Sequence, residues 1–121
     1  MSPELNPDEI TDLLAVSPTK IQIKGDIVPE KIDKQFSKSG WFLSTEGILD
    51  SKDVRDHLDW ILDHFRDHQL IFSKLHKRGY LIDLCVRWDS LRGDGGPTIS
   101  PKQMYKLAAL DIELWFDVYL D

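Results

Sequence analysis

Residues 80–89 read Tyr80-Leu81-Ile82-Asp83-Leu84-Cys85-Val86-Arg87-Trp88-Asp89, and residues 111–121 read Asp111-Ile112-Glu113-Leu114-Trp115-Phe116-Asp117-Val118-Tyr119-Leu120-Asp121. Each stretch alternates, and alternation with a period of two is the mark of a strand with two unlike faces. In the first, Tyr80, Ile82, Leu84, Val86 and Trp88 form an apolar face, while Leu81, Asp83, Cys85, Arg87 and Asp89 form the other. In the second, Ile112, Leu114, Phe116, Val118 and Leu120 point inward, and Glu113, Trp115, Asp117, Tyr119 and Asp121 point away. Such strands belong to a sheet covered on one side and partly open on the other.

Between and before them the pattern is helical. Asn6-Pro7-Asp8-Glu9 is a helix start: Asn6 caps, Pro7 suits the first helical position, and two acids face the positive end of the helix dipole. Ile10, Leu13 and Leu14 give its stripe, and Ser17-Pro18 ends it. Ser51 is the expected cap of a longer helix whose buried stripe is Val54, Leu58, Ile61, Leu62 and Phe65. Its phase is lost near Asp67, a second piece resumes with Leu70, Ile71, Phe72 and Leu75, and Gly79 closes it. Ser100-Pro101 opens a third helix carrying Met104, Leu107, Ala108 and Leu110. Short strands are expected at Lys20–Lys24 and Gly40–Ser44, with a further one at Pro97-Thr98-Ile99.

The expected fold class is therefore α+β: a single compact domain over residues 1–121, with a mostly antiparallel sheet of about four to five strands. One long and two short helices pack on it. Residues 1–5 are expected to be flexible, and residues 27–39 and 90–96 to be surface loops.

Composition narrows the chemistry. The chain has 121 residues, 21 acidic against 15 basic, and a net charge of −6. An acidic balance excludes general binding to nucleic acid or to anionic membranes, since polyanions require a basic face. Hydrophobic residues make up 41%, enough for a core and too many for a disordered chain. Cys85 is the single cysteine, so no intrachain disulfide can form, which fits a cytoplasmic location. Met1 to Ile10 has no apolar run and does not read as a signal peptide.

In order along the chain, Pro7-Asp8-Glu9-Ile10 with Leu13-Leu14, Ser17-Pro18-Thr19, Lys24-Gly25-Asp26, Gly40-Trp41, His57-Leu58 with Ile61-Leu62, and Leu110 to Tyr119 form an ordered set of motifs. This set resembles the family of domain of unknown function 4279, found mainly in bacteria. The resemblance implies a compact α+β domain and no established reaction, so it supplies no catalytic residues and no cofactor. Members of that family usually begin with a strand ahead of the Asn-Pro-Asp-Glu-like helix start, whereas only Met1 to Leu5 precede it here. The resemblance thus implies an open sheet edge, available to a partner strand and to a homodimer.

The site candidates fall into two groups. Aspartates crowd the segment from Asp50 to Asp67, and Trp60 sits among Asp56, Asp59, Asp63 and Asp67. Trp115 lies outside the core phase of the last strand. Tryptophan amid acids is a candidate anchor for a partner protein with a basic surface. The preferred expectation is a non-enzymatic, protein-binding module, an immunity-like or anti-defence inhibitor that occludes a basic site. The alternative is an enzyme or small-ligand domain using Asp83, Cys85, Arg87, Asp117 and Tyr119 on the second sheet face. Cys85 lacks a catalytic signature, and Arg87 reads first as an ion-pair partner. His57, His64 and His68 lie at helical spacing but lack the glutamate of a zincin motif, so no metal is expected. Gly93-Asp94-Gly95-Gly96 lacks the lysine of a phosphate loop, and Arg92-Gly93-Asp94 reads as a chance tripeptide.

Overall fold

The computed structural model describes residues 1–90 and 95–120. Among them lie four helices and four strands in the order α1 (Pro7–Leu14), β1 (Lys20–Gln22), β2 (Gly40–Phe42), α2 (Val54–Asp63), α3 (Gln69–Lys77), β3 (Asp83–Ser90), α4 (Pro101–Leu110) and β4 (Glu113–Leu120). The fold is α+β, but the strands form two separate two-stranded sheets, β1–β2 and β3–β4. This corrects the expectation of one mostly antiparallel sheet with three helices. Pro97-Thr98-Ile99 forms no strand, and Arg92-Gly93-Asp94 lies outside the described residues. The chain groups into two compact units, Met1–Ser44 with Lys74–Leu81, and Thr45–Ser73 with Ile82–Asp121.

In the first unit, α1 starts as its sequence dictates. The Asn6 side chain accepts from the Asp8 N–H at 3.0 Å, Pro7 opens the helix, and Pro7, Ile10 and Leu14 are buried. The helix stops at Leu14, three residues before Ser17, because Ala15 adopts the left-handed conformation at φ 55° while its N–H bonds to the Thr11 carbonyl at 2.9 Å. The β1–β2 ladder is antiparallel, with Ile21 opposite Trp41. Trp41 donates its ring N–H to the Thr11 hydroxyl at 3.1 Å, fixing β2 to α1. Gly40 is required by close approach: a Cβ there would sit 2.8 Å from both the Met1 side chain and the Phe42 ring.

The first residues are held by the backbone. Ser2 and Ser39 exchange two hydrogen bonds of 2.9 Å in an antiparallel bridge, beside the start of β2. Residues 27–39 form a loop with one internal bridge, Ile27 to Gln35, and Ile32 at its tip is 90% exposed. Arg78 binds Glu9 at 2.6 Å, donates to the Tyr80 hydroxyl at 2.9 Å and covers the Tyr80 ring. The guanidinium holds the Glu9 carboxyl below the usual carboxylate range.

In the second unit, the cap of α2 is Asp53 rather than Ser51. The Asp53 carboxylate accepts from the Arg55 N–H at 3.0 Å and clasps the Arg55 side chain. Ser51 stands one step back, accepting from the Asp53 N–H and donating to Asp56. Val54, Leu58, Leu62 and Phe65 are buried as the helical stripe requires, and Phe72 packs on Phe65 with ring centroids 5.2 Å apart. His57 bridges the preceding loop, with Nδ1 2.7 Å from the Thr45 hydroxyl and Nε2 2.6 Å from the Ser51 carbonyl.

Helix α4 carries a full capping box, in which the Ser100 side chain and the Gln103 side chain each bond to the other's backbone N–H. Its buried face is Gln103, Leu107 and Leu110, and Met104 is exposed, contrary to the apolar reading of its sequence. The reason is that the Gln103 amide is satisfied by α2, donating to the Arg55 carbonyl at 2.8 Å and to Asp59 at 2.9 Å. A buried amide with its bonds made costs little, so the helix turns its amide rather than its thioether inward.

Strands β3 and β4 are parallel over eight residue pairs, from Asp83↔Glu113 to Ser90↔Leu120. The intervening α4 carries the chain back to the starting end of β3, as parallel neighbours require. Val86 and Ser90 of β3 are buried, but the even-numbered face of β4 is exposed, with Phe116 at 42%, Val118 at 53% and Leu120 at 70%. The inward face expected for β4 is therefore not enclosed among the described residues.

Two substitutions test these local arguments. Ala15→Gly relieves a left-handed alanine and should stabilise the protein by about 0.5–1 kcal/mol in urea unfolding, the steric gain exceeding the extra unfolded-state entropy. Gln103→Ala removes both bonds to α2 and half of the capping box, and should destabilise it by about 1–3 kcal/mol in the same assay.

Candidate functional site

Parallel pairing in register places the odd-numbered residues of β3 and β4 on one face. Asp83, Cys85, Arg87 and Asp89 lie there beside Glu113, Trp115, Asp117 and Tyr119. The side chains form a linked polar layer. Trp115 donates its ring N–H to Asp83 at 3.1 Å, and Tyr119 donates its hydroxyl to Asp117 at 2.9 Å. The Arg87 guanidinium lies 4.4 Å from the centre of the Tyr119 ring, with its Nε 3.4 Å from Asp89. Both aromatic rings remain accessible, Trp115 at 48% and Tyr119 at 44%. Among the described residues the face carries the four carboxylates Asp83, Asp89, Glu113 and Asp117 against the single cation Arg87.

All five residues of the alternative sequence candidate, Asp83, Cys85, Arg87, Asp117 and Tyr119, thus meet on this surface. Trp115 joins them. Asp89 and Glu113 complete the face, and the same alternation that singled out Asp83 and Asp117 locates them.

The aspartates of α2 have a different setting. Asp56 accepts from the Ser51 hydroxyl, and Asp59 accepts from Gln103. Asp63 sits 3.3 Å from Arg66 and 4.0 Å from Lys106. Asp67 follows in the turn before α3. Trp60 is half-buried, its ring 4.4 Å from that of His64. Asp56, Asp59 and Asp63 thus take part in the helix start and the α2–α4 contact while remaining exposed.

Cys85 is exposed at the centre of the open face. Partial desolvation, with Asp117 and Asp83 nearby, pushes its thiol above the ordinary value. A nucleophilic cysteine needs the opposite shift, toward thiolate, from a neighbouring cation or base. The Tyr119 hydroxyl is likewise pushed up by its bond to Asp117. Both shifts favour the protonated thiol and phenol. His64 directs Nδ1 to the Trp60 carbonyl at 2.7 Å. Among the described residues, no group of three or more His, Cys, Asp or Glu is placed to hold a metal ion. Nor is any described helix long and apolar enough to cross a membrane.

Alkylation of Cys85 measures this electrostatic setting. Asp117→Asn removes a negative charge beside the sulfur, so the thiol titrates lower and reacts severalfold faster at pH 8 with a neutral alkylating reagent. An unchanged rate would show that the carboxylate does not act on the thiol.

Comparison with known proteins places these features in a family. No curated protein and no solved structure matches the chain. A family model described as domain of unknown function (DUF4279) matches residues 1–121, the whole of the chain, and no activity is established for that family. The chain, with its paired terminal strands and their open polar face, belongs to the DUF4279 family.

Proposed function

We propose that the protein is a non-enzymatic recognition module that binds a basic surface of another protein through the open face of β3 and β4. The observation that carries this reading is the pair of half-exposed aromatic rings, Trp115 and Tyr119, each fixed by a hydrogen bond to a carboxylate on a strand scaffold. Interface anchors are enriched in tryptophan and tyrosine, and a side chain already held in place loses little rotamer freedom on binding. The surrounding acids favour lysine and arginine, which can pair with Asp83, Asp89, Glu113 or Asp117 and lie over the Trp115 ring. Arg87 supplies one positive charge amid the acids and fixes the ring of Tyr119. Occlusion of a basic site on the partner is the mode of action that such a surface supports.

The expected partner chemistry can be probed with a peptide rich in arginine and lysine, followed by calorimetry and by amide shifts. Binding should perturb β3 and β4, weaken as salt is raised, and fall by about tenfold or more in Trp115→Ala. Trp60→Ala should bind as the parent does. Loss of binding in Trp60→Ala with retention in Trp115→Ala would move the site to α2, and no binding to the basic peptide would refute the reading.

A further inference from the structure

Strand β4 is paired on one edge only among the described residues. Its sequence Glu113-Leu114-Trp115-Phe116-Asp117-Val118-Tyr119-Leu120 contains no lysine and no proline, two residues that protect an edge from further pairing. Five of the eight side chains, Trp115, Phe116, Val118, Tyr119 and Leu120, are large, hydrophobic and exposed. We infer that β4 pairs antiparallel with β4 of a second copy, about a twofold axis through Phe116, joining the two β3–β4 sheets into one of four strands.

The charges on the strand select this register. With Phe116 on the axis, it faces Phe116 of the partner subunit, and Leu114 faces Val118 of the partner subunit. On the opposite face, Trp115 lies across from Asp117 of the partner subunit, and Glu113 across from Tyr119 of the partner subunit. No two carboxylates of the described strands stand directly opposite, and each acid faces an aromatic side chain. An axis through Asp117 sets two Asp117 side chains against each other. An axis through Trp115 sets Glu113 against Asp117, and an axis through Val118 pairs only Phe116–Leu120 of each described strand. A shift of one residue turns the acidic face of one copy onto the apolar face of the other. The surface is isologous, as a twofold dimer requires. One strand pair makes a small interface, so the expected association is weak, with a dissociation constant of about 10–100 μM.

Sedimentation of the full chain between about 10 μM and 1 mM measures the equilibrium. The wild type should pass from monomer to dimer, and Phe116→Lys and Phe116→Glu should each weaken association by about tenfold or more, since like charges then meet at the axis. An equimolar mixture of the two variants should dimerise again, because Lys now faces Glu. A wild type that stays monomeric at about 1 mM overturns the inference. So does association by the single variants that equals wild type, or a mixture of folded variants that stays monomeric. Should either variant fail to fold, amide shifts of the wild type against concentration decide: movement in β4 supports the pairing, and its absence there overturns it. Recognition of a basic partner uses the odd-numbered face rather than the outer edge, so either proposal can fail while the other stands.

Discussion

Parallel pairing of β3 and β4 is the constraint on which the surface chemistry rests. Two adjacent strands joined by a hairpin would run antiparallel and would set a different group of side chains opposite one another. Helix α4 prevents that. By returning the chain to the start of β3 it aligns Asp83 with Glu113 and Arg87 with Asp117. The cross-strand contacts on the open face depend on this alignment, the Trp115–Asp83 bond and the stacking of Arg87 on Tyr119. The alignment depends in turn on how α4 is held, and the buried Gln103 does that work by tying α4 to the backbone of α2 and to Asp59.

That dependence explains the behaviour of the acidic residues. An aspartate on a helix is often assigned to solvent, and a row of them to a partner. Here Asp53 caps α2, Asp56 holds the loop before it, and Asp59 and Asp63 face α4. Several acids of this segment thus have local partners while their side chains stay exposed. On the sheet, four carboxylates among the described residues share a face with one guanidinium, and two of them orient aromatic rings.

What the sequence made legible was local. The cap of α1 at Asn6-Pro7, the start of α4 at Ser100-Pro101, the break between α2 and α3 and the two faces of β3 all follow from short-range rules, and all are present. The candidate face was legible too, since alternation alone groups Asp83, Cys85 and Arg87, and Asp117 with Tyr119. Strand direction was not. It is set by how the chain returns between strands, and α+β patterning leaves both directions open. Gln103 was hidden because its burial depends on acceptors supplied by α2, forty-four and forty-eight positions away. The exposure of Phe116 and Val118 was equally hidden, since an apolar period states that a face can be buried and not what stands over it.

The parallel register also sets an order of events in folding. Every pair in the β3–β4 ladder joins residues thirty positions apart, as Asp83 and Glu113 show. Closing that loop costs chain entropy before any ladder bond forms. The capping box of α4, by contrast, spans only Ser100 to Gln103 and can form within a turn. A helix formed early shortens the stretch that must be closed and points β4 back toward β3. The open face, built across pairs thirty positions apart, therefore depends for its closure on a helix that contributes none of its side chains.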